Sequence, residues 1–239
     1  MLHEGPLAFE AAESRRVRAR FLAASGWGDP ATLVEELERR DRTLADASHV
    51  VLWFEHDLYD QLQLLQILSQ LRDDQDVELV QADEHLGPLG ANALEALWKT
   101  RRRLDTDTLD LARETWRALC AGETPVAGVR ALPHLAPALR RLTEERAPLR
   151  RTKRQLLAAL ASGASTPLEL FAANQSMEEA AFLGDTWCFR FVHELAEDGL
   201  LEPADGALPA PPPRGDYDAF VSTPLALTAA GRAAIAADN

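Results

Sequence analysis

The run His49-Val-Val-Leu-Trp-Phe54, followed at once by Glu55, His56 and Asp57, constrains this chain more than any other stretch. A short β-branched and aromatic run without polar alternation is the pattern of a strand covered on both faces in an α/β sheet. Past the turn, Leu58, Leu62, Leu65, Ile67, Leu68 and Leu71 predict a helix over 58–71. Strand, sharp polar turn and helix form half of a βαβ unit. Asp76 to Val80 supplies a second strand that ends in the polar turn Gln81 to His85. A right-handed parallel crossover is the natural connection between them.

The flanking segments read as helices. Apolar residues predict helices over 9–24, with Val17, Phe21 and Leu22 as the inner face, and over 31–45 through Leu33, Leu37 and Leu44. Gly26, Trp27, Gly28, Asp29 and Pro30 punctuate the two. Beyond Gly90, helices are expected over 91–104 and 108–120. A sheet of two strands is small for a parallel arrangement, so further strands are expected near Leu7 and Val126, or the sheet is incomplete as given. From Pro133 the pattern changes to helices over 133–145, 152–160, 166–173 and 186–196. A strand entry at Gly199 to Leu201, a loop with Pro209, Pro211, Pro212 and Pro213, a returning strand at Leu225 to Leu227 and a helix from Thr228 complete a winged-helix pattern. The 239 residues are therefore expected to form two domains. Residues 1–127 would be a Rossmann-like α/β domain and residues 128–239 a mostly helical, winged-helix-like one.

Composition removes several classes. With 46% apolar and 26% charged residues the chain is globular, and no stretch approaches the ~20 apolar residues of a membrane span. The N-terminus has no basic segment leading into an apolar one, which predicts a cytoplasmic protein with no membrane partner. Two cysteines, Cys120 and Cys188, make neither a disulfide framework nor a cysteine-rich zinc site. No P-loop, G-x-G-x-x-G, G-x-S-x-G or H-E-x-x-H occurs. Trp53, Trp98, Trp116 and Trp187 sit among apolar neighbours and are expected in the core.

Open α/β sheets place their sites outside the carboxyl ends of strands, beside the amides of the next helix. Glu55, His56 and Asp57 fall at that position. A carboxylate beside an imidazole can bind a divalent cation or act as an acid/base pair, so these three are the catalytic candidates. Asp57 and Asp60 also suit plain capping roles, as N-cap and first-turn acid of the helix. Gln61 lies where it can face the same rim. His3 and Glu4, beside the Gly5-Pro6 turn, form a second polar cluster. Asp185 reads either as the cap of the helix that follows it or as a residue completing the site.

Three stretches carry a resemblance: Leu2-His-Glu-Gly-Pro6, Val51-Leu-Trp-Phe-Glu-His-Asp-Leu-Tyr-Asp-Gln-Leu-Gln-Leu-Leu65 and Phe182-Leu-Gly-Asp-Thr-Trp187. Together they resemble a bacterial family defined as the domain of unknown function 1835, with its usual C-terminal companion. Members of that family begin earlier, with a strand leading into an Asn-Gly-Asp motif; Met1 here stands where they have an internal residue, so a first strand is expected to be missing. The resemblance implies a Rossmann-like domain and no established activity. It groups His3, Glu4, Glu55, His56, Asp57, Asp60 and Gln61 into one constellation, with His3, Glu4, Asp60 and Gln61 as ligand-binding candidates.

The expected function is a hydrolase or transferase acting on a small phosphate-containing ligand, with a divalent cation as the candidate cofactor and the metal itself unassigned. The alternative is a regulatory module that binds nucleic acid or a partner through Arg150, Arg151 and Arg154, within a basic run from Arg140. Charge does not favour nucleic acid. The chain carries -13, and residues 128–239 hold 14 acidic against 11 basic side chains.

Overall fold

The computed structural model describes residues 2–125 and 131–237. The chain divides into two compact units, Met1–Thr143 and Glu144–Asn239. The expected boundary at 127/128, like the strand expected near Val126, lies outside the described residues.

The first unit opens with two helices, α1 (Ala11–Ala24) and α2 (Pro30–Asp46). Gly26 and Gly28 between them have φ of 94° and 116°, a region that glycine enters without a Cβ penalty. The Asp29 carboxylate accepts from the amides of Ala31 and Thr32, and Pro30 takes the first turn, a combination that fixes the start of α2. The strand β1 (His49–Phe54) and the helix α3 (Leu58–Gln70) follow, then β2 (Asp76–Gln81), α4 (Ala91–Trp98), β3 (Arg102–Arg103), α5 (Thr106–Cys120) and α6 (Leu135–Glu145), whose last two residues fall in the second unit.

β1 and β2 are parallel, in register from His49 opposite Asp76 to Phe54 opposite Gln81. β3 pairs antiparallel with β2, giving the order β1-β2-β3. The helix α3 packs on α5. Its fully buried Leu58, Leu62, Leu65 and Leu68 share the core with Trp116 and Leu119 of α5. Burial of this kind contributes about 1.5–3 kcal/mol per side chain, enough to fix α3 behind β1 and so to fix where its N-terminus points.

Several expectations need correction. The helix expected over 91–104 ends at Trp98, and Arg102–Arg103 form an edge strand instead. Two arginines offer no apolar signal; pairing with Glu78 and Leu79, and ion pairs from Arg101 to Glu78 and from Arg103 to Asp76, set them there. Residues around Leu7 form no strand. On α1 the buried positions are Ser14, Arg18 and Ala19 rather than Val17, Phe21 and Leu22, because the helix turns a polar face inward. Trp116 and Trp187 are buried, but Trp53 is only half-buried and Trp98 is 39% exposed; the two stack at 6.0 Å, and the Arg101 guanidinium lies over the Trp98 ring at 4.2 Å.

The second unit contains α7 (Arg151–Ala161), α8 (Pro167–Ser176), α9 (Asp185–Glu197), β4 (Leu201–Pro203), α10 (Tyr217–Val221), β5 (Leu225–Leu227) and α11 (Ala229–Ala237). Phe189, Phe191, Phe220, Leu156, Leu157 and Leu195 fill its core. β4 and β5 pair antiparallel, with Leu201 opposite Leu227. A Cβ on Gly231 would stand 2.0 Å from the Leu200 carbonyl oxygen, so α11 meets the β4 entry through a position only glycine fits. The short helix α10 interrupts what the sequence presents as one long loop, capped by Asp216 and held by buried Phe220. The whole chain is mixed α/β, and no helix among the described residues is long and apolar enough to cross a membrane.

Candidate functional site

The parallel register puts the carboxyl ends of β1 and β2 side by side, and each strand is followed by an acidic, histidine-bearing turn. Glu55, His56 and Asp57 leave β1; Asp83, Glu84 and His85 leave β2. His85 Nδ1 lies 2.6 Å from Glu55 Oε2 and 3.9 Å from Asp57 Oδ2. The other Glu55 oxygen accepts from the Leu86 amide at 2.7 Å. Glu55 therefore ties the two strand ends together.

The turn after β1 is held from several sides. Asp57 caps α3, its Oδ1 accepting from the Asp60 amide at 3.0 Å. Asp60 Oδ2 accepts from the Glu55 amide at 2.7 Å, and Gln61 Nε2 donates to the Glu55 carbonyl at the same distance. Asp60 and Gln61 thus fix the backbone that presents Glu55, and Gln61 is 1% exposed, buried below the rim it was expected to face. Asp57 fills the capping role weighed for it through one carboxylate oxygen, and its other oxygen lies 3.9 Å from His85 Nδ1.

Electrostatics set this turn apart. Burial pushes the Asp57 carboxyl up to about 6, with the Asp60 and Glu55 charges adding to it against the Asp60 amide. Burial likewise raises Asp60, against the Glu55 amide. For Glu55, burial is outweighed by the His85 and Leu86 hydrogen bonds, and its pKa falls. The Glu55 hydrogen bond raises His85. His56 moves the other way: burial, then the neighbouring His85 and His134 charges, hold it below the ordinary histidine range. Its ring lies 5.8 Å from that of His85 and 6.1 Å from that of His134, centroid to centroid. His56 Nδ1 is buried with no hydrogen-bond partner among the described residues, a costly state for an imidazole nitrogen. His134 in turn stands 3.2 Å from Asp83.

Glu55, Asp57 and His85 each present a ligand atom within 4.8 Å of the others. Two carboxylates and one imidazole suit a divalent first-row cation, and the open side of such a set leaves room for substrate or solvent ligands. The buried Asp57 carboxyl, which desolvation disfavours as an anion, fits the same reading, because a bound cation would add positive charge beside it.

His85, Asp83 and His134 were missed by sequence reasoning. The signal for the first two was present: Asp83-Glu-His85 after β2 repeats, in another order, the residue types of Glu55-His-Asp57 after β1. His134 carries no local signal, as it reaches the site from the loop before α6. At the N-terminus, His3 is buried, and the Glu4 and Pro6 carbonyls accept from Arg18 on α1; these contacts anchor the segment on α1.

The arginines of the alternative reading lie in the second unit. Arg151 pairs with Glu144 at 2.9 Å and Glu179 at 3.0 Å, and Lys153 with Asp198 at 3.0 Å and Glu194 at 3.3 Å. Arg150 occupies the N-cap position of α7 without a side-chain capping bond and lies over the Phe191 ring at 4.8 Å, while Arg154 is half-buried on the same helix. Asp185 does not cap α9, whose N-cap is Gly184; its carboxylate accepts from Thr186 and from the Tyr217 hydroxyl. Comparison with known proteins finds no matching family model, no matching curated protein and no matching solved structure.

Proposed function

We propose that the first unit is a divalent-cation-dependent hydrolase or transferase of a small phosphate-containing molecule, with its centre at the ends of β1 and β2. One observation carries this reading: Glu55, Asp57 and His85, from two separate strand ends, bring three ligand atoms within 4.8 Å around a carboxyl that burial disfavours as an anion. Glu55, Asp57 and His85 would hold the cation, Asp60 and Gln61 would position Glu55, and His56, kept neutral, would accept a proton from the attacking hydroxyl or water. A divalent cation there supplies Lewis-acid polarisation of the phosphoryl oxygens. Parallel β1 and β2 joined through α3 support a Rossmann-like assignment for this unit. The helices α7 to α9 with the β4–β5 pair support a winged-helix-like second unit. The same motifs support membership of the domain-of-unknown-function 1835 family.

The test is calorimetric titration of the purified chain with Mn²⁺, Zn²⁺ and Mg²⁺. Binding of one ion per chain, weakened by roughly 100-fold or more in His85→Ala and in Glu55→Gln, is the expected result, because loss of one of three protein ligands exceeds the ~10–100-fold typical of outer-shell changes. Titrations that are flat, or unchanged by both substitutions, would sink the reading. Nucleic-acid binding gains nothing from the geometry, since Arg151 and Lys153 each meet two carboxylates, which leaves no excess of positive charge around them.

A further inference from the structure

A second region of the first unit departs from the charge of the whole. The chain carries -13, yet a cleft of about 190 Å³ where α1 and α2 meet α3 is lined by three guanidiniums, Arg15, Arg18 and Arg40, and by one carboxylate, Asp41. Asp41 is shared, with one oxygen 2.8 Å from Arg15 and the other 2.7 Å from Arg40. Arg18 is only 4% exposed, and its guanidinium donates to the carbonyls of Glu4 and Pro6. Burial draws its pKa down to about 10, against the Glu4 charge. Among the described residues, even with Glu4 counted beside Asp41, three guanidiniums face two carboxylates in a place where desolvation is costly. Ser14 and Gln66 are buried along the same wall, with Gln66 donating to Ser14 and accepting from Arg40. Tyr59 adds a hydroxyl, and Leu2, Leu22 and Leu37 give the cleft an apolar side.

Each guanidinium carries five N–H donors in a fixed fork and no acceptor. Three of them, set on two helices around one cleft, suit a tetrahedral oxyanion better than a planar carboxylate. The apolar side suits a small organic group attached to it. We propose that this cleft binds the phosphate group of a small phosphomonoester, without a metal ion and at a place separate from the strand-end cluster. The α3 helix carries residues of both sites: Asp57 caps it at the strand end, and Tyr59 and Gln66 face the cleft. Nothing in this assignment depends on a cation at Glu55, Asp57 and His85.

The test is thermal unfolding and calorimetric titration of the full chain in EDTA, with glycerol phosphate and inorganic phosphate as probes and sodium chloride at matched ionic strength as control. A ligand that binds only the folded chain raises the midpoint in a concentration-dependent way. The expected result is a rise with glycerol phosphate exceeding that with inorganic phosphate, weakened at least ~10-fold in Arg40→Gln and in Arg15→Gln and retained in His85→Ala, as loss of a charge-assisted bond implies. Arg18→Met is expected to lose the response as well, and the variants at Arg40 and Arg15 keep the test open if it does not fold. An equal response to both probes, lost in the same variants, assigns the cleft to free phosphate and overturns the monoester. No response beyond the chloride control, or one that survives both arginine substitutions, overturns the site altogether. A response lost in His85→Ala alone would place the phosphate at the strand end and overturn it as well.

Discussion

The turn that joins β1 to α3 and the first turns of α7 are both crowded with charge, but they differ in how that charge is matched. On α7, Arg151 and Lys153 each meet two carboxylates within 3.3 Å, and the acids of those pairs reach 28% to 81% side-chain exposure. The cations are 22% and 12% exposed, but each is matched by more than one carboxylate on the solvent side, so little free energy is at stake. At the strand end, Asp57 and Asp60 lie beside Glu55 with histidines as the nearest counter-charges, and Asp57 is 4% exposed. Like charges held together out of water cost free energy, and a fold keeps such an arrangement where a ligand can relieve it. Charge density alone therefore says little. The unmatched remainder, weighed by burial, is what separates a solvated helix face from a site.

The contrast can be broken most directly at Asp57. Its folded pKa, raised from 3.8 to about 6, means that the native state holds a proton the unfolded chain has released across that window. Stability from this group is therefore present at low pH and lost as pH rises from about 4 to about 6, by about 3 kcal/mol at most. Asp57→Asn retains a good N-cap residue and should flatten this slope, leaving the variant more stable than the parent at pH 7 in the absence of divalent ions. Urea unfolding at pH 4, 5, 6 and 7 measures it, and parallel slopes for the two chains would show that burial imposes no such penalty.

A smaller effect is expected one layer out. Gln61→Leu removes the donor to the Glu55 carbonyl without opening space, and should weaken cation binding by about 10-fold while sparing the fold. Calorimetry against the parent reads it; an unchanged affinity would show that the Glu55 backbone needs no such support.

The smallest effect belongs to α7. Arg151→Ala should cost under about 1 kcal/mol in urea unfolding. Neither this variant nor the parent should retard duplex DNA in a mobility-shift gel near physiological salt. A shift abolished by replacing Arg150, Arg151 and Arg154 together would reverse the comparison and make α7 the functional face.

Much of this was legible in the sequence. The parallel pair β1 and β2, the helix between them and the polar turn at 55–57 follow from local pattern, because a buried strand has no use for Glu-His-Asp at its end. The capping role of Asp57 was equally local. The polar inner face of α1 was not, since an amphipathic pattern names the apolar side and cannot foresee a buried Arg18 satisfied by carbonyls from the N-terminal segment. The edge strand at Arg102–Arg103 was hidden for a related reason: its pairing is set by Glu78 and Leu79 of β2.

The sequence by itself determined where a site could lie, because strand and helix periodicities are short-range and a polar turn between them shows in consecutive residues. Only the tertiary structure decided which side chains gather at that place. Parallel pairing brought His85 from thirty residues away to 2.6 Å from Glu55, and the loop before α6 added His134. Coordination and desolvation depend on distances in space, and those are set by the packing of β1 against β2 and of α3 against α5.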